Sequence, residues 1–349
     1  MKAKLILENG DVFQGEAFGY LQDSTGEVVF NTGMTGYGEI LTDPSYYGQI
    51  VTMTYPLIGN YGVDLNDLES DSPKVKGLIV REICDYSSNF KSEIELDDYL
   101  ETNKIVGLSG IDTRELTKIL RSRGTMKGII TGENLDFDTV KSTIASFSNK
   151  DAVSEVSTKE KYTVGRGKKS IAVLDFGIKK SMIKAFVDRQ CSVTVFPSNT
   201  KSEDILAIDP DLIFLSNGPG DPGDLKSEIE NIKKLLGKKP IVGICLGHQL
   251  LALALGGTTA KLKFGHRGCN HPVKDLTTGK VRITSQNHGY YVNKLPETME
   301  ITHVSLNDGT IEGMKHKTLP IFSVQFHPEA CPGPEDNNYI FHEFMKYAL

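Results

Sequence analysis

Positive charge is in short supply in this 349-residue chain. Its 39 Lys and Arg stand against 45 Asp and Glu, for a net charge of −6. That speaks against a nucleic-acid surface, which needs a basic patch or stripe. Cysteine is scarce too. The five cysteines (Cys84, Cys191, Cys245, Cys269, Cys331) are odd in number and widely spread, with no CxxC pair. This argues against a disulfide framework and for the reducing cytoplasm. Long apolar runs are missing: no stretch of about 18 apolar residues offers a membrane span. The opening MKAKLILENGDVF breaks its short apolar run with Glu8, Asn9 and Asp11, unlike a signal peptide. A nucleotide fingerprint is missing as well. GRGKKS (165–170) comes near a P-loop, but the first glycine of G-x-x-x-x-G-K-[ST] falls on Tyr162, and Lys169 replaces the Ser/Thr.

What is present divides in two. Residues 151–170, DAVSEVSTKEKYTVGRGKKS, are polar, charged and aperiodic, and read as a linker. Beyond it, over 171–349, strands and helices alternate: SIAVLDF, then KKSMIKAFVDRQ, CSVTVF, KSEDILAI, DLIFLS, DLKSEIENIKKLLG and PIVGIC with its following helix. Near-continuous apolar strands alternating with helices predict an α/β domain, a doubly wound, mostly parallel sheet covered on both faces. Residues 1–150 open with β-like runs and carry helices later, which predicts an α+β domain. Its glycine-rich stretch NTGMTGYGEILTDPSYYGQIV predicts tight turns around a fixed loop.

The most informative stretch is PIVGICLGHQLLALALGG (240–257). A short buried strand runs into Cys245, and an apolar helix follows. Gly243 and Gly247 flank the cysteine, giving G-x-C-x-G, the thiol form of the nucleophile elbow. A sharp strand-to-helix reversal strains the residue at the turn and leaves no room for bulky neighbours. Unpaired N–H groups and the helix dipole there favour an anion. The competing reading makes Cys245 a small, inert core residue. A thiolate nucleophile needs a proton shuttle, usually a histidine oriented by a carboxylate. His327 follows the strand-like LPIFSVQF. In HPE, an extended backbone puts His327 and Glu329 on one side, and Pro328 favours that geometry. The competing reading is a solvated His-Pro turn. Oxyanion-hole N–H groups could come from Leu246, just after the nucleophile, and from SNGPGDP (216–222), whose glycines allow close backbone approach. That segment could equally be a plain turn.

Together, GICLGHQ, LSNGPGDP and HPE resemble the class I glutamine amidotransferases, over about 170–349. NTGMTGYGEILTDPSYYGQIVTMTYPLIGNYG, GLSGIDTRELT, FGHRGCNHPV, QNHGYYV and HPEACPGPEDNNYIF resemble the small, glutamine-hydrolysing subunits of carbamoyl-phosphate synthetases. That likeness runs over essentially the whole chain. It implies a flavodoxin-like C-terminal domain with a Cys245, His327 and Glu329 triad. It implies oxyanion donors at Gly218 and Leu246. Glutamine would be held by Ser45, Gly220, Gln249, Asn287, Gly289 and Tyr290. It also implies a large partner subunit that carries ATP and magnesium, with no cofactor or metal in this chain. Ser45 has a plainer reading, a turn-capping serine after Asp43-Pro44. The rivals are a glutaminase for GMP, CTP or anthranilate synthesis, and a non-catalytic scaffold with a degenerate site.

Three positions depart from the family pattern. Tyr290 stands where phenylalanine is common, and Phe326 and Cys269 stand where small residues are common. His266, Cys269 and His271 suggest a metal cluster, but no fourth ligand is evident. His248, on the helix after the nucleophile, is expected to point away from Cys245.

Overall fold

A computed structural model describes residues 1–133 and 135–348. The chain divides between Asn149 and Lys150 into two compact units.

Among its described residues the first unit holds the strands β1 (Lys2–Leu7), β2 (Val12–Gly19), β3 (Ser24–Asn31), β4 (Gln49–Met53), β5 (Leu57–Ile58), β6 (Gly77–Ile79), β7 (Glu82–Ile83), β8 (Val106–Ser109) and β9 (Met126–Thr131) and the α-helices α1 (Tyr37–Thr42), α2 (Leu96–Thr102), α3 (Thr113–Arg123) and α4 (Phe137–Ser146). Seven strands close into a barrel in the order β1-β2-β8-β6-β4-β3-β9, while β5 and β7 form a separate pair. Closure removes the exposed strand edges that would otherwise invite pairing with other chains. Glycine makes part of this packing possible. A Cβ on Gly107 would lie 2.4 Å from the Phe18 ring, so the ring fills the space where a side chain would stand. The barrel is the part of the α+β expectation that periodicity did not reveal. Ser45 lies in a short 3-10 turn, Pro44–Tyr46, and is buried. The cap of that turn is Asp43, whose Oδ1 accepts the Ser45 N–H at 2.9 Å. Ser45 is therefore not the capping residue.

The second unit holds β10 (Tyr162–Val164), β11 (Lys169–Asp175), β12 (Cys191–Pro197), β13 (Leu212–Leu215), β14 (Ile241–Ile244), β15 (Thr258–Asp275), β16 (Val281–Lys294), β17 (Met299–Ser305), β18 (Ile311–His316) and β19 (Ile321–Val324). Its helices are α5 (Ala152–Val156), α6 (Lys180–Val187), α7 (Ser202–Leu206), α8 (Lys226–Leu235), α9 (Leu246–Ala254) and α10 (Tyr339–Tyr347). The ten strands form one sheet, ordered β10-β12-β11-β13-β14-β19-β18-β17-β15-β16. From β12 to β19 neighbours run parallel; β10 at one edge and β18, β17, β15 and β16 on the other side pair antiparallel. The doubly wound expectation describes the parallel centre.

Both faces of that centre are apolar, as its continuous hydrophobic strands require. Ala172, Leu174, Ile213 and Leu215 pack on one side with Ile232 and Leu235 of α8 and Leu250 of α9. Ile171, Val173, Phe214 and Val242 pack on the other with Met182 and Phe186 of α6 and Phe341 and Phe344 of α10. The residues 151–170, expected as a linker, carry α5 and β10, and Lys169 already belongs to β11. Thr158 N–H donates to Asp175 Oδ2 at 2.7 Å. Isolated contacts of that kind order the segment, and a hydrophobic-periodicity reading does not register them.

Candidate active site

Four adjacent parallel strands end on the same edge of the sheet, where ligands bind in folds of this kind. β14 ends at Cys245, β13 leads into Ser216-Asn217-Gly218, β19 leads to His327, and β11 leads to Lys179. Cys245 sits between β14 and α9 as the helix N-cap, with φ 53° and ψ −104°. A non-glycine residue held at positive φ costs about 1–3 kcal/mol and persists only where its surroundings enforce it. Here they do. Cys245 N–H donates to Val324 O at 2.9 Å, and Gly247 N–H donates to Ser216 O at 3.0 Å. The flanking glycines are required sterically: a Cβ on Gly247 would lie 2.2 Å from Leu215 O, and one on Gly243 would lie 2.9 Å from the Gly247 carbonyl carbon. The thiol is buried and directed at the Asn287 carbonyl oxygen, 3.6 Å away.

His327 N–H donates to Ser285 O at 2.9 Å, which ties the HPE segment to β16. His327 Nδ1 lies 2.7 Å from Glu329 Oε1, and both side chains are buried. The same carboxylate oxygen accepts from Lys179 Nζ at 2.9 Å. Lys179 Nζ also donates to Ala330 O at 2.8 Å and Cys331 O at 2.7 Å. Those two residues have φ of 59° and 45°, so the ammonium clamps a strained turn just beyond Glu329. Burial works against both charges of the His–Glu pair. The Lys179 ammonium, then the His327 imidazole, outweigh it for Glu329 and hold its carboxyl down at about 2. For His327, the Glu329 carboxylate and then the contact with Cys245 outweigh burial and raise it to about 10.

The other residues singled out in the sequence divide by unit. Leu246 opens α9, where first-turn N–H groups have no partner within the helix. At Gly218 a Cβ would stand 2.2 Å from Phe176 O, so the chain passes there only as glycine, and Gly220 has φ of 91°. Gln249 Nε2 donates to Tyr290 O at 2.8 Å and to Gln325 Oε1 at 3.0 Å. Asn287 and Gly289 lie on the same strand, β16, as Tyr290. The second unit thus bonds Cys245 to Asn287, Gln249 to Tyr290 and His327 to Glu329. Ser45 belongs to the first unit.

The family model for the carbamoyl-phosphate synthase small chain, CPSase domain, matches residues 5–130, and the glutamine amidotransferase class-I model matches 172–347. A carbamoyl phosphate synthase small chain of Clostridium perfringens (strain 13 / Type A) is 70% identical over 349 residues, all of both chains. This chain belongs to the carbamoyl phosphate synthase small-chain family. A pyrimidine-specific small chain of Bacillus subtilis (strain 168) is 56% identical, covering 99% of this chain and 96% of that one. The small chain of Bacillus caldolyticus is also 56% identical, with the same coverage.

Seen as a small chain of this family, the molecule accounts for its departures. Tyr290 O bonds Gln249 Nε2 at 2.8 Å and His288 Nδ1 at 2.7 Å, contacts of the backbone that a phenylalanine there would keep. Phe326 is fully buried, its ring 5.5 Å from that of His303 in the core. Cys269 Sγ turns to Pro332 O at 3.4 Å. Among the described residues, the side chains close enough to share a metal ion are His266, His288 and Glu312, with ligand atoms within 4.8 Å of one another. Both ring nitrogens of His288 already have hydrogen-bond partners, Tyr290 O at 2.7 Å and Gln286 Oε1 at 2.9 Å. His248 is buried against Ser323 Oγ at 2.9 Å, and burial lowers it to about 3. No helix of the described residues is long and apolar enough to cross a membrane.

Sequence reasoning missed Lys179. A lysine in DFGIKKS reads as a solvated helix start, yet it is 2% exposed. Its place just past a strand end, one strand over from the SNGPGDP loop, was the available signal.

Proposed function

We propose that this chain hydrolyses L-glutamine to glutamate and ammonia through a γ-glutamyl thioester on Cys245. The ammonia passes to a large, ATP-using subunit, which makes carbamoyl phosphate from bicarbonate. The observation that carries the reading is the thiol at a strained helix N-cap beside a buried His327–Glu329 pair.

Glu329 and Cys245 favour the protonated imidazole of His327, so Cys245 attacks the side-chain carbonyl carbon of glutamine as a thiolate whose proton His327 already holds. Glu329 holds His327 Nδ1 and supports the charge on the ring, while Lys179 holds Glu329. The tetrahedral oxygen takes hydrogen bonds from the backbone N–H groups of Gly218 and Leu246. As that intermediate collapses, the carbon–nitrogen bond breaks and His327 gives its proton to the departing ammonia. Water then attacks the thioester with His327 as base, which releases glutamate and restores the thiolate. Gly220, Gln249, Asn287, Gly289 and Tyr290 hold the glutamine. Ser45 joins them on the strength of the family resemblance alone. ATP and magnesium act on the partner. Free cysteines throughout suit a reducing cytoplasm.

The test is Cys245→Ser in the complex. Glutamine-dependent synthesis should vanish while ammonia-dependent synthesis continues, because the thiolate serves the glutamine step alone. Near-normal glutamine turnover in the variant would remove Cys245 from the mechanism.

A further inference from the structure

Asp175 closes β11, is 4% exposed, and has no part in the reaction above. Its carboxyl group collects three backbone N–H groups. Oδ1 accepts from Gly177 at 2.8 Å and from Ile178 at 2.8 Å, and Oδ2 accepts from Thr158 at 2.7 Å. The first two bonds fold the chain just past the strand into an Asx turn. Gly177 takes φ of 126° within it, which glycine alone adopts at no steric cost. Phe176 is held as well: its N–H donates to Ser216 Oγ at 2.9 Å, and that hydroxyl donates to Asn217 O at 2.8 Å. Three consecutive amides, 176 to 178, are thus tied down, and the next residue is Lys179.

Lys179 depends on where that turn leaves its backbone. A lysine has a flexible four-carbon stem and ordinarily keeps its ammonium in water. Here Nζ bonds Glu329 Oε1 at 2.9 Å, Ala330 O at 2.8 Å and Cys331 O at 2.7 Å. Three acceptors fix the head of the side chain, and the turn fixes its root. Gly177 and Ile178 are buried, so without Asp175 their N–H groups would lose their partner away from water, a cost the chain relieves by moving. Lys179, one residue on, moves with them.

Plain support of the fold is the rival role, and the Thr158 bond belongs to it, since it anchors the segment between α5 and β10. The two roles use different oxygens of one carboxyl group, which makes them separable. Burial raises that carboxyl and the three N–H groups draw it down. An oxygen can accept from Gly177 and Ile178 in either protonation state, so the turn does not depend on that balance.

We propose that Asp175 is a positioning residue for the glutaminase reaction: Oδ1 sets the turn over 175–179, the turn sets the root of Lys179, and the Lys179 ammonium sets Glu329 against His327. This rests on the assignment of His327 and Glu329 to proton transfer. The test is a double-mutant cycle in the complex, with Asp175→Ala placed in the parent and in Lys179→Met. In the parent it should lower kcat about tenfold, near the worth of one hydrogen bond, with KM within about twofold. In Lys179→Met it should lower kcat by no more than about twofold, because the ammonium it positions is already gone. Withdrawing a positive charge raises the pKa of every acid beside it. The acid limbs of kcat and of Cys245 alkylation by iodoacetamide should therefore move to higher pH in Asp175→Ala, as in Lys179→Met. Asp175→Asn keeps an oxygen for Gly177 and Ile178 and turns its NH₂ to Thr158. It should restore both limbs, and kcat to within about threefold of the parent, while melting below it.

An equal loss of kcat in both backgrounds would overturn the proposal, because Asp175 would then act independently of Lys179. So would acid limbs in Asp175→Ala that match the parent. Asp175→Asn as slow as Asp175→Ala would overturn it too, by tracing the loss to the Thr158 bond. If Asp175→Ala fails to fold, Asp175→Ser, whose oxygen sits one bond closer to the backbone, takes its place in the cycle. A parent protein that does not hydrolyse glutamine would sink the proposed function instead, and the alkylation limbs, which need no turnover, would still judge Asp175.

Discussion

Lys179→Met is the most demanding perturbation of the site, because it touches neither the thiol nor the imidazole. The ammonium it removes is 3% exposed and bonds Glu329 at 2.9 Å, with two further bonds to Ala330 O and Cys331 O. Deleting one partner of a buried ion pair costs about 3–5 kcal/mol, and because His327 Nδ1 at 2.7 Å still faces the Glu329 carboxylate, the lower end of that range applies. The turn it clamps holds two non-glycine residues at positive φ, each about 1–3 kcal/mol above relaxed backbone. For a unit of this size, that loss lowers Tm by roughly 10 °C. The pH dependence has a definite sign. Glu329 is held below its ordinary value, so its contribution to stability is present above that value and fades as pH falls toward about 2. Without Lys179 the carboxyl rises, so parent and variant should differ most at neutral pH and converge in acid.

Activity should fall as well. A general acid–base group is worth about 10²–10⁴ in rate, and Lys179 reaches it through Glu329, so kcat should drop about 10–100-fold with a smaller change in KM. The acid limb of the kcat profile should also move to higher pH. Lys179→Arg should not restore the parent, because a guanidinium is larger and its planar fork does not match three acceptors around a point charge. Thermal melts across pH and steady-state glutaminase kinetics measure all of this. A Lys179→Met protein with kcat within about twofold of the parent and an unchanged Tm at neutral pH would refute the clamp.

Three further outcomes follow from the same geometry. His327→Asn should abolish both proton transfers, while Glu329→Ala should slow thioester formation less, because Glu329 acts through the imidazole; single-turnover rates rank them, and the reverse order would exchange their roles. Gly247→Ala should destabilise far more than Gly256→Ala: the first Cβ would meet Leu215 O at 2.2 Å, whereas the second meets nothing within 4 Å and costs only the left-handed backbone term, about 1–2 kcal/mol, so comparable melting temperatures would deny the tight elbow. The isolated chain should be a poor glutaminase that speeds up with its ATP-using partner, since ammonia made before an acceptor is ready is lost; equal kcat with and without the partner and its substrates would make the chain self-sufficient.

The parts of this site that were legible in the sequence share one property: a local rule ties residue type to backbone shape. Gly243 and Gly247 mark an elbow because a Cβ has no room there, whereas HPE, expected as an extended chain, forms a turn in which Ala330 N–H donates to His327 O at 3.2 Å, and it is this turn that brings Glu329 Oε1 to His327 Nδ1. The alternating apolar strands forecast the parallel centre of the sheet for the same reason, since both faces had to be covered. What stayed hidden depends on meetings between distant segments. Lys179 and Glu329 are 150 residues apart, and Gln286 and Glu312 are 26 apart on different strands. Such residues look like surface charge or ordinary amides until the fold brings them together. The first unit's barrel was hidden likewise, because strand periodicity is the same whether a sheet stays open or closes on itself. The contrast also orders the proposed chemistry: the groups assigned to the substrate sit on motifs that local geometry dictates. The groups that hold them in place, Lys179 above all, are recruited from wherever a neighbouring strand happens to end.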